Sequence, residues 1–212
     1  MLLLEIGEVL GRIDLKRELI KELERQSGNL QRLMNTPNID EAKLATLLNK
    51  QKELIDSLHS IKGQPGSHLK THELLVAVKQ RSVIPGGLCD FDIPSLHFWL
   101  KQPSSVRHEY LAHWIEPFDT IRAANELILN LIRNSVTPLR VTAENGFLQQ
   151  SIDPGAPFQL LRVAVNDDSD YYPEISAGKH RFSIRFMQMD TLTGHPVQKT
   201  EDISFQLYTC RL

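Results

Sequence analysis

The chain has 212 residues, 41% hydrophobic and 24% charged, with a formal net charge of -2, the composition of a globular protein with length for one large core or two small ones. Near-neutral charge excludes a surface committed as a whole to nucleic acid, which needs a basic excess to displace counterions. No apolar run reaches the roughly 18 residues of a bilayer span. Met1-Leu2-Leu3-Leu4-Glu5 meets acid too early for a signal peptide, so no membrane insertion is expected and the cytoplasm is the expected compartment. Cys89 and Cys210 stand far apart, and two lone thiols fit a reducing compartment with both free.

In chain order, Leu15, Leu19, Leu23, Leu30 and Leu33 recur at three-, four- and seven-residue steps behind Asp14, an N-cap residue type. Asp40 precedes a second such run, Leu44, Leu47, Leu48, Leu54, Ile55, Leu58 and Ile61. Asn35-Thr36-Pro37-Asn38 marks the turn between them, so an antiparallel helical hairpin is predicted. Gly63, Pro65 and Gly66 end it, and a third helix is predicted from near Leu69 to Arg81 with Leu74, Leu75 and Val78 inward.

Ile84-Pro85-Gly86-Gly87 has the order of a type II turn. Pro94 then suits the first turn of a short helix carrying Leu96, Trp99 and Leu100, and another is predicted after Ser104 or Ser105 with Leu111, Trp114 and Ile115 inward. From Phe118 through Ile121, Ala124, Leu127, Ile128, Leu131 and Ile132 the apolar residues cover more than one stripe, which predicts the central helix of the bundle.

Past Pro138 the period changes to two: Leu139, Val141 and Ala143, then Leu161, Val163 and Val165, then Phe182, Ile184 and Phe186, then Ile203, Phe205 and Leu207. Asn145-Gly146 is a hairpin signal. The predicted class is α+β, a helical bundle over 1–137 followed by a small antiparallel β domain over 138–212, the two packed together. There is no internal repeat, low-complexity tract or long linker.

Candidate chemistry is sparse. His68 and His72 are four apart, but the glutamate of a zinc-peptidase motif and further ligands are missing, so surface histidines are expected and no metal. Cys89 lies beside Asp90 and Asp92, but an active thiolate needs a nearby base and usually a cation or helix N-terminus, and His97 would supply the base only by accident of fold. The expected roles are structural, with Cys89 buried and Asp92 capping the helix at Pro94. Gly86-Gly87 lacks the lysine of a phosphate loop and follows a helix. No catalytic residue and no cofactor are expected. What stands out is that Arg140, Arg162, Arg181 and Arg185 all take outward positions of their strands, beside the acidic run Asp167, Asp168, Asp170 and Glu174. A solvated face, a site for an acidic peptide held by arginines and a nucleic-acid-binding module all fit this. Aromatic platforms are too sparse for the last to lead.

Several segments carry a resemblance. Ile84-Pro85-Gly86-Gly87, Cys89-Asp90-Phe91-Asp92-Ile93-Pro94, His97-Phe98-Trp99-Leu100, the stretch from Tyr172 to Phe182 and Ile184-Arg185-Phe186-Met187 resemble, in order and spacing, the ZapD cell-division proteins over nearly the whole chain. The resemblance implies a symmetric homodimer that binds the C-terminal tail of the tubulin-like GTPase FtsZ through acidic and apolar contacts, bundles its filaments at mid-cell and lowers GTP turnover indirectly. It implies a basic binding surface, for which this sequence offers Lys70, Lys79, Arg81, His97 and Arg107 in the helical region and Lys179, Arg181 and Arg185 near the sheet. Arg81, His97 and Arg181 lie in or beside the matching motifs. Glu73 and His72 stand where relatives show basic character. The family's additional basic N-terminal segment is absent, so part of the bundle and of the binding surface is expected to be missing.

Overall fold

The computed structural model describes residues 2–12, 14–37, 39–155, 158–192 and 194–212. Among them, helices come first and antiparallel strands follow, the α+β arrangement expected. The chain forms two compact units, Met1–Ile128 and Leu129–Leu212.

In the first unit, α1 (Leu2–Arg12) was not anticipated from the sequence. Helices α2 (Leu15–Arg32) and α3 (Glu41–Ser60) form the predicted hairpin. Asp14 accepts a hydrogen bond from Arg17 N, and Asp40 one from Lys43 N, so both expected N-caps satisfy donors a helix leaves open. Asn38, in the predicted turn, lies outside the described residues. The seam is heptad-like: Leu19, Leu23, Gln26 and Leu30 face inward from α2, and Leu44, Gln51 and Leu58 from α3.

The predicted third helix is broken in two. A 3-10 turn at Ser67–Lys70 buries Leu69, and α4 (Glu73–Arg81) starts after an extended His72. The break is held by Thr71 Oγ1, which donates back to His68 O at 3.0 Å. Leu75 and Val78 are buried as expected. Helices α5 (Pro94–Leu100) and α6 (Ser104–Ile115) follow, but Leu100 and Ile115 are exposed, and Trp114 is the buried anchor of α6. Trp99, Tyr110 and His72 ring Trp114 at centroid distances of 5.7, 5.9 and 5.0 Å. Helix α7 (Asp119–Arg133) is amphipathic, not apolar all round. It buries Ile121, Ala124, Leu127 and Ile128, while Arg122 pairs with Asp119 and Glu126 on the exposed side.

The second unit holds β1 (Leu139–Ala143), β2 (Phe147–Ser151), β3 (Leu160–Ala164), β4 (Tyr172–Ala177), β5 (Arg181–Met189), β6 (Pro196–Gln198) and β7 (Ile203–Cys210). They form two sheets, β1-β7-β3 and β2-β5-β4 with β6 also on β5. Their inner rows make one core: Ala143, Ile203, Phe205 and Leu207 from the first, Phe182, Ile184 and Phe186 from the second. Asn145 and Gly146 both have positive φ, the geometry of a tight hairpin turn. The hairpin goes no further than the Glu144–Phe147 bridge, because β1 pairs with β7 and β2 with β5. The turn passes the chain between sheets. A Cβ on Gly146 would lie 2.3 Å from Lys199 O, so the close approach as well as φ requires glycine. Leu139, expected inward, is exposed at the start of β1.

Candidate partner-binding surface

The segment joining α4 to α5 is a closed clip. Gly86, at φ +76°, supplies the left-handed residue of the turn, and Gly87 N donates to Ile84 O at 2.9 Å. A Cβ on Gly87 would stand 2.4 Å from Arg81 O, so the chain can double back against α4 only with glycine there. Arg81 Nη1 donates to Asp92 Oδ1 at 2.7 Å, and Cys89 Sγ donates to Asp92 Oδ2 at 2.8 Å. His97 Nδ1 lies 2.8 Å from Asp90 Oδ1.

This corrects two expectations. Asp92 does not cap α5, whose N-cap is Ile93 with no side-chain bond; its carboxylate is taken by Arg81 and Cys89. Cys89 is half-buried, not buried. Its hydrogen bond to Asp92 pushes the thiol pKa up, burial adds to this, and the Asp92 charge works in the same direction. That is the opposite of what a nucleophilic thiolate requires.

The clip and α5 after it display apolar side chains to solvent. Val83 is 82% exposed, Phe91 84% and Phe98 68%, with Ile84 and Leu88 also exposed. Scattered apolar surface is ordinary, but such a concentration in one short segment marks a contact site. Ile84, Phe91 and Phe98 lie in the motifs that carry the resemblance, whereas Val83 and Leu88 do not, and the one sequence signal for this surface is the run of apolar residues about a Pro-Gly turn.

Beside the clip, Lys70 and Lys79 line a cavity of about 370 Å³ whose wall is Leu4, Leu69, Leu75 and Val83. Lys79 Nζ pairs with Glu8 Oε1 at 2.8 Å, and Lys70 Nζ donates to Gln64 Oε1 at 3.2 Å. A larger cleft of about 800 Å³, lined by Leu3, Ile6, Leu10, Leu111 and Ile115, is apolar apart from Arg122 and Asn125. Arg107 is half-buried on α6, and its Nε has no hydrogen-bond partner among the described residues. His68 and His72 are not surface residues as expected. His68 Nε2 lies 3.0 Å from Trp114 O, its ring packs on Phe118, and His72 packs edge-on against Trp114. Among the described residues there is no group of three side chains able to hold a metal ion.

In the second unit, the four outward arginines do not share one face. Arg140 and Arg162 belong to β1 and β3, Arg181 and Arg185 to β5. Outer faces of two stacked sheets point apart, so the expected basic sheet face divides into two pairs. Arg162 is engaged, its guanidinium 4.7 Å from the Tyr208 ring centroid and Nη1 donating to Arg133 O. Arg185 stands in register with Glu174 on one side and Phe147 on the other. Lys179 is exposed in the turn before Arg181. Asp170 is spoken for by Lys199 at 2.9 Å.

Residues 1–185 match the sequence profile described as "ZapD: Cell division protein". This chain belongs to the ZapD family. It is 41% identical over 212 residues to the cell division protein ZapD of Methylococcus capsulatus, covering 98% of this chain and 81% of that protein. It is 37% identical to ZapD of Chromobacterium violaceum over 209 residues, covering 99% and 82%. With ZapD of Shigella flexneri it is 37% identical over 206 residues, covering 97% and 81%. ZapD membership carries a role in cell division. The motifs that first suggested ZapD fold into the α4–α5 clip and the β4–β5 hairpin. Among the described residues no helix is long and apolar enough to cross a membrane.

Proposed function

We propose that this ZapD-family chain is a non-enzymatic crosslinker. As a homodimer it binds the C-terminal tail of FtsZ in the cytoplasm at mid-cell and gathers the filaments into bundles. Two sites per dimer bridge two filaments, and repetition along a polymer lets weak contacts suffice. Lower GTP turnover follows from slower subunit exchange. In this reading a helical domain over 1–137 and a β domain over 138–212 both contribute basic residues.

The observation that carries the reading is the cavity rimmed by Lys70 and Lys79 over an apolar wall, which suits a peptide pairing an apolar side chain with an acid. Arg81, His97 and Arg107 are the further contacts proposed in this unit, and Lys179, Arg181 and Arg185 those in the other. Arg81 and His97 already pair with Asp92 and Asp90, so an incoming carboxylate shares or replaces these contacts. The test is co-sedimentation with polymerised FtsZ. Lys70→Glu combined with Lys79→Ala is expected to leave the protein in the supernatant with its thermal unfolding unchanged. Pelleting equal to wild type would remove this surface from the proposal.

A further inference from the structure

The sheet β2-β5-β4 ends on β4, and no strand among the described residues pairs with its outer side. Gly178 N donates to Arg181 O, whereas Phe186 N donates to Gly146 O on the opposite side of β5. Hydrogen bonding alternates along a strand, so Arg181, Ser183, Arg185 and Met187 turn their backbone groups toward β4. The register partners of Ser183, Arg185 and Met187 there are Ser176, Glu174 and Tyr172. Pro173, Ile175 and Ala177 therefore direct theirs to the open edge. Pro173 has no N–H and blunts its first part. Ile175 and Ala177 each direct a donor and an acceptor there, with no strand partner among the described residues.

The side chains on this edge are as open as its backbone. Ile175 belongs to the core-facing row, in register with the fully buried Ile184, yet it is 44% exposed. Ala177, of the same row, is also exposed. The core stops being covered at β4, and an apolar strip runs alongside the free backbone groups. An added strand would cover the strip and satisfy both groups at once.

Charge narrows the occupant. Glu174 is balanced in register by Arg185, and between Ile175 and Met189 the sequence has no acid but carries Lys179, His180, Arg181 and Arg185. The end of the edge beyond Ala177 is therefore basic. We infer that β4 captures an extended partner segment by strand addition, with an apolar residue beside Ile175 and an acidic residue beyond Ala177. The inference rests on the tail-binding reading above, in that the segment belongs to the partner's tail.

The test uses the full chain and a fluorescent peptide of the FtsZ C-terminal tail, read by anisotropy. Ala177→Pro removes an edge N–H without touching the ladder to β5, a substitution edge strands tolerate. About tenfold weaker binding is expected, with the unfolding curve unchanged. Should the variant fold poorly, wild-type protein with a peptide N-methylated at alternate residues gives the same readout and the same expected loss. If the tail peptide binds and neither change weakens it, strand addition is overturned while tail binding stands. If the unmodified peptide does not bind wild type, the tail-binding reading falls and takes this occupant with it.

Discussion

Replacing Gln26 and Gln51 together by leucine is expected to stabilise the helical unit. Both side chains are fully buried in the α2–α3 seam. Each has one satisfied end: Gln26 Nε2 donates to Glu22 Oε1 at 2.8 Å, and Ser27 Oγ donates to Gln51 Oε1 at 2.7 Å. Gln26 Oε1 and Gln51 Nε2 have no partner among the described residues. An unsatisfied buried polar atom costs about 1–3 kcal/mol and an ordinary hydrogen bond returns about 1 kcal/mol. Removing two orphans and sacrificing two bonds therefore leaves a net gain of about 2 kcal/mol, because leucine fits a heptad seam without polar atoms. Each single variant keeps one orphan and should gain about half of this. Urea unfolding followed by far-UV circular dichroism reads the change as a shift in midpoint at constant slope. A double variant less stable than wild type would refute the bookkeeping and show that the polar layer contributes more than its visible bonds.

Gly87→Ala should destabilise the helical unit by about 1–3 kcal/mol, the cost of forcing extra volume into a packed site, because its Cβ meets Arg81 O; thermal unfolding checks this. Cys89 should alkylate more slowly at neutral pH than a free thiol, since the bond to Asp92 and burial raise its pKa, and Asp92→Ala should speed the reaction, as iodoacetamide kinetics across pH would show. Asp170 is held below the usual carboxylate range by the hydrogen bond from Lys199, against the opposing effect of burial. A depressed carboxyl pKa gives stability that is present above the unfolded value and lost as pH falls through the folded one. Asp170→Asn should therefore be less stable than wild type at neutral pH and converge with it in acid, measured by denaturant unfolding at a series of pH values.

The residues that speak locally were legible in the sequence. Asp14 and Asp40 are N-caps because capping needs only a side-chain acceptor and a following donor three residues on. Pro85-Gly86 forms its turn because φ decides it. What the sequence left open depends on which distant segment a local feature meets. Asn145-Gly146 turns the chain as read, but only the pairing of β1 with β7 shows that the turn separates two sheets. Strand phase places the arginines outward without saying on which sheet. The strand β4 has no clear period-two signal in the sequence, because Pro173 breaks its pattern and its core-facing Ile175 lies at an uncovered edge. Arg81 and His97 read as candidates for a basic binding surface, since sequence distance does not reveal that the clip folds Asp92 and Asp90 onto them.

The central claim is that this chain crosslinks filaments through the FtsZ tail, and bundling of FtsZ lacking that tail tests it most directly. With intact FtsZ and GTP at low salt, the account predicts thick bundles by electron microscopy and pelleting of both proteins, weakening as salt screens the charged contacts. With tail-less FtsZ it predicts single filaments and this protein in the supernatant. Equal bundling of both forms of FtsZ, or of neither, would contradict it.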